Sequence, residues 1–248
     1  MVSQLPASPP GERLDWEGAC SLLVRDGRAV AVELRGSATA ADASLAVSGS
    51  GLALLLVQRS LLVLHGSCVA YGDRAVCLLG PSGVGKSTLA AALQGRGYRL
   101  ISDAMTVLRE TVAGWRALPG WSTMKLWPAS VARLGWQPRV QGAVHSESDK
   151  LVCAAPDLAV DEVALHGMVS VVPSEPVALL ALRHADSLVE VIKNHYLAEH
   201  GLGARGAEVL AACGRLLSCT PLRRLQRGVS LDQLDAAAAR VDEWLRST

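Results

Sequence analysis

The segment RAVCLLGPSGVGKSTLAAALQGRG, residues 74–97, limits the possible folds more than any other part of the chain. An apolar run enters a glycine-rich turn, and an Ala/Leu-rich helical pattern leaves it. From Gly80 to Ser87 the turn satisfies G-x-x-x-x-G-K-[ST], in the strand–turn–helix context that gives this spacing its meaning. Gly83 and Gly85 let successive backbone N–H groups turn inward around an anion. The positive end of the following helix adds to that attraction. The spacing predicts that Gly80, Pro81, Ser82, Gly83, Val84, Gly85, Lys86, Ser87 and Thr88 form a nucleotide phosphate site. Lys86 would reach the β- and γ-phosphates, and Ser87 would offer its hydroxyl to Mg²⁺. A nucleotide and Mg²⁺ are the ligands this loop leads one to expect.

The alternation of strand and helix patterns around this loop predicts a single α/β domain with a smaller β-rich N-terminal part. Residues 1–15, with Pro6, Pro9, Pro10 and Gly11, read as a flexible tail, 16–60 as the β-rich part, and 61–248 as the catalytic domain. SLLVRDGRAVAVEL predicts a hairpin turning at Asp26-Gly27. Residues 36–50 are small and polar, a loop or an edge element, and 51–60 suit a short buried helix. A second hairpin turns at Gly72-Asp73 and runs into Gly80. YRLISD is a short strand whose closing Asp103 is the acidic partner expected near the metal. WPASVARLG, DSLVEVIKNHYLAEHG and GAEVLAACGRLLS read as helices; VALHGMVSVVP, PVALLALR and PLRRLQR read as strands. Residues 137–160 read as a polar mobile loop over the site, and Ser230 to Gln233 as a capping box opening the last helix.

Composition removes several classes of function. The formal net charge is +1 with the two signs interspersed, so neither nucleic acid nor an acidic membrane surface is expected as a partner. The most apolar run, Leu52 to Leu64, is interrupted by Gln58-Arg59-Ser60 and is too short for a membrane span. The N-terminus lacks the pattern of a signal peptide. None of Cys20, Cys68, Cys77, Cys153, Cys213 and Cys219 forms a C-x-x-C pair or a zinc-like cluster. A soluble, cytoplasmic protein with reduced, buried thiols is expected. There is no N-K-x-D guanine-reading element and no L-S-G-G-Q, which argues against a signalling GTPase and an ABC-type ATPase.

LHGSCVAYGDRAVCLLGPSGVGKSTLAAALQGRGYRLISD resembles the catalytic core of HPr kinase/phosphorylase. The likeness is to the short HPr-kinase-like serine kinases of peptide-modification clusters, including lasso peptide clusters. Leu64-His65, the loop, Arg96-Gly97 and the Ser102-Asp103 strand end carry it, together with PGWSTMKLWPAS from Pro119 to Ser130. The resemblance implies a P-loop kinase core with phosphoenolpyruvate-carboxykinase-like topology. It also implies ATP-dependent phosphorylation of a serine in a peptide or small protein, such as a ribosomal lasso-type precursor. By position, His65 becomes an active-site histidine, Lys86 a phosphate ligand, and Ser87 and Asp103 metal ligands. Homo-oligomers are frequent among such proteins.

One departure bears on catalysis. The family has two consecutive aspartates, the second taking the hydroxyl proton, whereas this chain has Asp103-Ala104. Alanine cannot accept a proton. An inactivating substitution, a natural non-catalytic relative, or service by another group would each explain it; the first is preferred, since such changes trap substrate complexes. The family's glutamate-bearing segment has no counterpart, and KLWP stands near its place. Lys125 and Lys150 are candidate substrate or phosphate contacts. A non-catalytic nucleotide-binding regulator and a P-loop kinase of a small molecule are the alternative readings.

Overall fold

The computed structural model describes residues 11–16, 19–144, 149–200, 205–228 and 230–247. It opens with an antiparallel sheet of β1 (Glu12–Trp16), β2 (Cys20–Arg25) and β3 (Ala29–Leu34). The β2–β3 turn is Asp26-Gly27, with φ of 52° and 60°, the pair of positive values that a two-residue hairpin turn needs. The expected tail is therefore structured from Glu12, because Leu14 packs with Val30 against Val24. Residues 1–10 lie outside the described residues.

Residues 36–50 correct the expectation of a loop or edge. They form α1 (Ala40–Ala46) and most of a π-helical turn (Val47–Gly51), which leads into α2 (Leu52–Val57). Ala43 and Ala46 pack against Cys20 and Leu22, so the buried face of α1 is made of small side chains. Such a face leaves little apolar stripe to read.

The chain continues through β4 (Leu62–Leu64), β5 (Gly66–Tyr71), β6 (Arg74–Leu79), α3 (Lys86–Gln94), β7 (Arg99–Ser102), β8 (Thr106–Thr111) and β9 (Gly114–Leu118). Then come β10 (Thr123–Leu126), α4 (Pro128–Leu134), β11 (Val140–Ala143), β12 (Leu151–Ala154), β13 (Val163–Pro173) and β14 (Ala178–Ala181). Helices α5 (His184–Lys193) and α6 (Gly206–Cys219), β15 (Leu222–Arg227) and α7 (Leu234–Ser247) complete it. Nine strands form one mixed sheet in the order β4-β8-β9-β13-β6-β5-β7, with β15 pairing both β13 and β14.

Side chains along β6 alternate between two apolar clusters, the period of two that a sheet imposes. Val76 and Leu78 join Leu89 and Leu93 of α3 and Val241 of α7. Ala75, Cys77 and Leu79 join Val191 of α5 with Val209 and Leu216 of α6. Helices thus cover both faces, which is why the central strands read as unbroken apolar runs. Cys68, Cys77 and Cys213 are buried in the second cluster as expected, while Cys219 is exposed. The mixed α/β class follows from these layers.

Three further expectations change. Within 137–160, β12 pairs with both β10 and β11 in a separate three-stranded sheet of order β10-β12-β11, with residues 145–148 outside the described residues. The register shifts between Val140 and Gly142, so these strands lack the regular alternation that would mark them. The helix expected over DSLVEVIKNHYLAEHG ends at Lys193, where Asn194 leaves helical geometry; its Gly201 lies outside the described residues. Ser230 caps the turn before α7 by accepting from the Asp232 N–H (3.2 Å). Gln233, however, accepts from the Gly228 N–H (2.7 Å), so its side chain is drawn away from the reciprocal half of the capping box. No helix among the described residues is long and apolar enough to cross a membrane.

Candidate functional site

Strand direction gathers the site at one sheet edge. β6, β13 and β15 are parallel, so their carboxyl ends lie together. β5 is antiparallel to both β6 and β7, which brings the start of β5 and the end of β7 to that same edge. His65 precedes β5, Gly80 follows β6, Asp103 follows β7 and Arg227 ends β15. Four distant segments meet there.

The loop has little freedom in its sequence. Gly80 has φ 134°, and a Cβ there would stand 2.7 Å from the Val171 carbonyl oxygen. Gly85 has φ 100°, and its Cβ would stand 2.9 Å from Arg227 Nη1. Both positions therefore require glycine. The Gly80 N–H donates to Asn194 Oδ1 (2.8 Å), and Asn194 Nδ2 donates to the Glu190 carbonyl (2.8 Å). Val84 turns into the apolar layer beneath the loop. Thr88 Oγ1 lies 2.9 Å from Ser130 Oγ, tying the first turn of α3 to α4.

Lys86 is buried, and its Nζ donates to the carbonyls of Gly80 (2.7 Å) and Pro81 (3.0 Å). Burial lowers its pKa to about 8 although the Asp103 charge acts in the opposite direction. Asp103 is buried too. Its Oδ1 accepts from Ser67 Oγ (2.6 Å) and its Oδ2 from the Lys125 backbone N–H (3.0 Å). Two donors on opposite oxygens fix the carboxylate plane. The His65 N–H donates to the Asn194 carbonyl (2.7 Å), and its ring lies 5.8 Å from that of Tyr196. Burial, then the Lys86 charge, pushes the imidazole down to about 4, so it is neutral above that pH. Ala104 has φ 66°, a left-handed conformation in which Asp and Asn are more at ease than Ala.

A small cavity of about 80 Å³ collects His65, Ser82, Gly83, Gly85, Lys86, Ser87, Thr88, Asp103, Ala104, Lys125 and Lys150. Gly80 and Pro81 line a larger concavity on the adjoining side of the loop. The Lys150 ammonium stands 5.2 Å from the centroid of the Trp127 ring, a cation–π contact at the rim. The donors fit Mg²⁺: Ser87 and Asp103 line the same cavity, and a hydroxyl and a carboxylate are hard oxygen ligands. Among the described residues no cluster of three or more His, Cys, Asp or Glu could hold a metal alone. The arrangement can bind a polyphosphate under a lysine, with a neutral imidazole alongside.

Sequence reasoning missed Arg227 and Asn194. Arg227 is buried behind the loop, with Nε donating to the Gly228 carbonyl (3.1 Å) and Nη2 to that of Ser230 (3.4 Å). Nη1 has no hydrogen-bond partner among the described residues, and burial lowers the pKa of the guanidinium. Nothing local in LQRG or KNH distinguishes either residue; only the fold brings them to Gly85 and Gly80.

No family model matches the chain. A curated protein of Oceanobacillus iheyensis, named "Putative HPr kinase/phosphorylase 2", is 44% identical over 48 residues. That match covers 19% of this chain and 16% of the relative. The solved structure of the Hpr(Ser) kinase/phosphatase from Coxiella burnetii aligns over 75% of this chain and 97% of its own, at 12% identity and a TM-score of 0.37. A likeness at that level carries no argument about the fold. Over those 48 residues the chain is similar to an HPr kinase/phosphorylase, and the match spans about a sixth of that relative's length.

Proposed function

We propose that the chain is an ATP- and Mg²⁺-dependent serine kinase of the HPr-kinase type, with a catalytic domain over residues 61–248 and phosphoenolpyruvate-carboxykinase-like topology. Its acceptor is a serine hydroxyl of a peptide or small protein in the cytoplasm, and the resemblance favours a ribosomal lasso-type precursor. The observation that carries this reading is the convergence of His65, Lys86, Ser87 and Asp103 on one cavity.

In the transfer, the serine oxygen bonds to the γ-phosphorus, the bond from phosphorus to the β,γ-bridging oxygen breaks, and ADP leaves. Backbone N–H groups of the loop and Lys86 hold the phosphates in line and spread their charge. Ser87 and Asp103 would hold Mg²⁺, which would supply charge neutralisation during the transfer. Ser67 and the Lys125 N–H keep the Asp103 carboxylate oriented. His65 lines both the cradle and its larger neighbour, which supports a role for its imidazole beside the incoming hydroxyl. The hydroxyl proton needs an acceptor, and position 104 offers a methyl group.

A second reading, a nucleotide-binding regulator without transfer, is favoured by that same Ala104. Incubation with γ-labelled ATP and serine peptides separates the two. Ala104→Asp should form phosphoserine while the unchanged chain forms little; absence of phosphoserine from both would leave the regulator reading.

A further inference from the structure

The cradle opens on both sides of the loop mouth. A concavity of about 490 Å³ shares Asp103, Ala104 and Lys125 with it, and Trp16, Leu45, Met105 and Trp121 wall its far side. A second, of about 860 Å³, shares His65 and Ser82 with the cradle and runs past Asn194 to Lys193. These two concavities also share Trp16, Ser50 and Tyr196 with each other. The result is one cleft that crosses the sheet edge from the β10 side to the α5 side, passing the phosphate loop on its way.

The lining indicates what the cleft would bind. Trp16 is 38% exposed, Leu45 44% and Trp121 58%, an apolar group left open to water next to position 104. Clustered exposed apolar side chains mark binding surfaces, and tryptophan is prominent among residues that carry contact energy. Among the described residues the charged side chains of this concavity are Asp103 and Lys125, and Asp103 already accepts from Ser67 and the Lys125 N–H. An uncharged, bulky group is therefore the complementary occupant. Space also extends to both sides of the cradle. A serine inside a chain has atoms continuing both ways from its hydroxyl-bearing carbon, whereas a small hydroxylated metabolite would leave one arm empty.

We propose that this cleft is the acceptor site and takes a polypeptide in passing, with a bulky apolar side chain next to the accepting serine seated among Trp16, Leu45 and Trp121. The identity of the reaction rests on the kinase reading above; the cleft itself does not. Trp16 lies at the end of β1, and the Ser48–Ser50 wall belongs to the π-helical turn, so the N-terminal segment is a specificity wall of the site rather than an appendage.

Two short peptides with a central serine, differing only in Leu or Gly beside it, probe the cleft. Their binding to the full chain is measured by calorimetry with a non-hydrolysable ATP analogue present. The Leu peptide should bind roughly tenfold more tightly, as one apolar side chain in a fitted pocket allows. Trp16→Ala and Trp121→Ala should each erase that preference with affinity for the ATP analogue unchanged, and Trp16→Phe should keep most of it. Equal binding of the two peptides, or a preference that survives both alanine variants, overturns the proposal. If the preference holds but Ala104→Asp transfers no phosphate, the cleft stands and the kinase reading falls. If Ala104→Asp phosphorylates both peptides alike, or a free hydroxylated small molecule instead, the chemistry stands and the cleft proposal falls.

Discussion

Arg227 is 3% exposed, and its Nη1 lies behind Gly85 without a partner among the described residues. An unmet buried donor costs about 1–3 kcal/mol, a cost relieved when an anion or a carbonyl of the loop comes within reach. Arg227→Met should therefore lower ATP affinity by about tenfold, the scale of one charge-assisted hydrogen bond, with Arg227→Lys restoring part of it. Calorimetry reads the first effect; thermal unfolding of the same variant should move by only a few degrees. His195 gives a pH signature. Its Nδ1 accepts from the Leu197 N–H (3.3 Å), its Nε2 has no partner among the described residues, and burial lowers its pKa to about 4. Between that value and its ordinary 6.5 the unfolded chain holds a proton that the folded chain refuses. Stability should thus rise with pH from about 4 to 6.5, by on the order of 2 kcal/mol for this residue. Denaturant titrations of His195→Gln should show a flatter rise; an unchanged slope would remove His195 as its source. Lys86, Ser87 and Asp103 were legible in the sequence because motif and strand end announce them. Arg227 was not, since a strand-terminal arginine gains meaning only from the glycine it meets 142 positions away.

Elements were legible where one rule dominated. Asp26-Gly27 could only turn tightly, and the strand–loop–helix from Arg74 to Gln94 was fixed by its glycines and its Ala/Leu face. Elements were missed where small residues did the packing, as in α1, or where a bulge broke the alternation, as in β11. The start of the last helix was half right. Ser230 caps, but Gln233 is held by Gly228 and by Glu175 Oε1, which accepts from its Nε2 (3.0 Å). Ser230→Ala should cost about 1 kcal/mol, because the Asp232 N–H then loses its acceptor. Urea unfolding should show this as a lower midpoint at constant slope.

At the scale of the molecule, chain direction does what no motif could announce. A parallel trio of strands with an antiparallel β5 brings His65, the loop, Asp103 and Arg227 to one edge, and the N-terminal sheet leans Trp16 over the same opening. The mixed α/β class was readable from alternating patterns. The joining of the N-terminal part to the main domain was not, because it depends on a shared cluster of Val24, Leu54, Val63 and Met105 from separate segments. The account turns on Ala104, whose left-handed backbone suits an aspartate and whose side chain takes no proton. The most direct measurement is the rate of phosphoserine formation from γ-labelled ATP by Ala104→Asp beside the unchanged chain, on the same serine peptide. A gain of about 10²–10⁴-fold, the usual worth of a positioned general base, is predicted. Equal rates would contradict the account, whether both are negligible or both are fast.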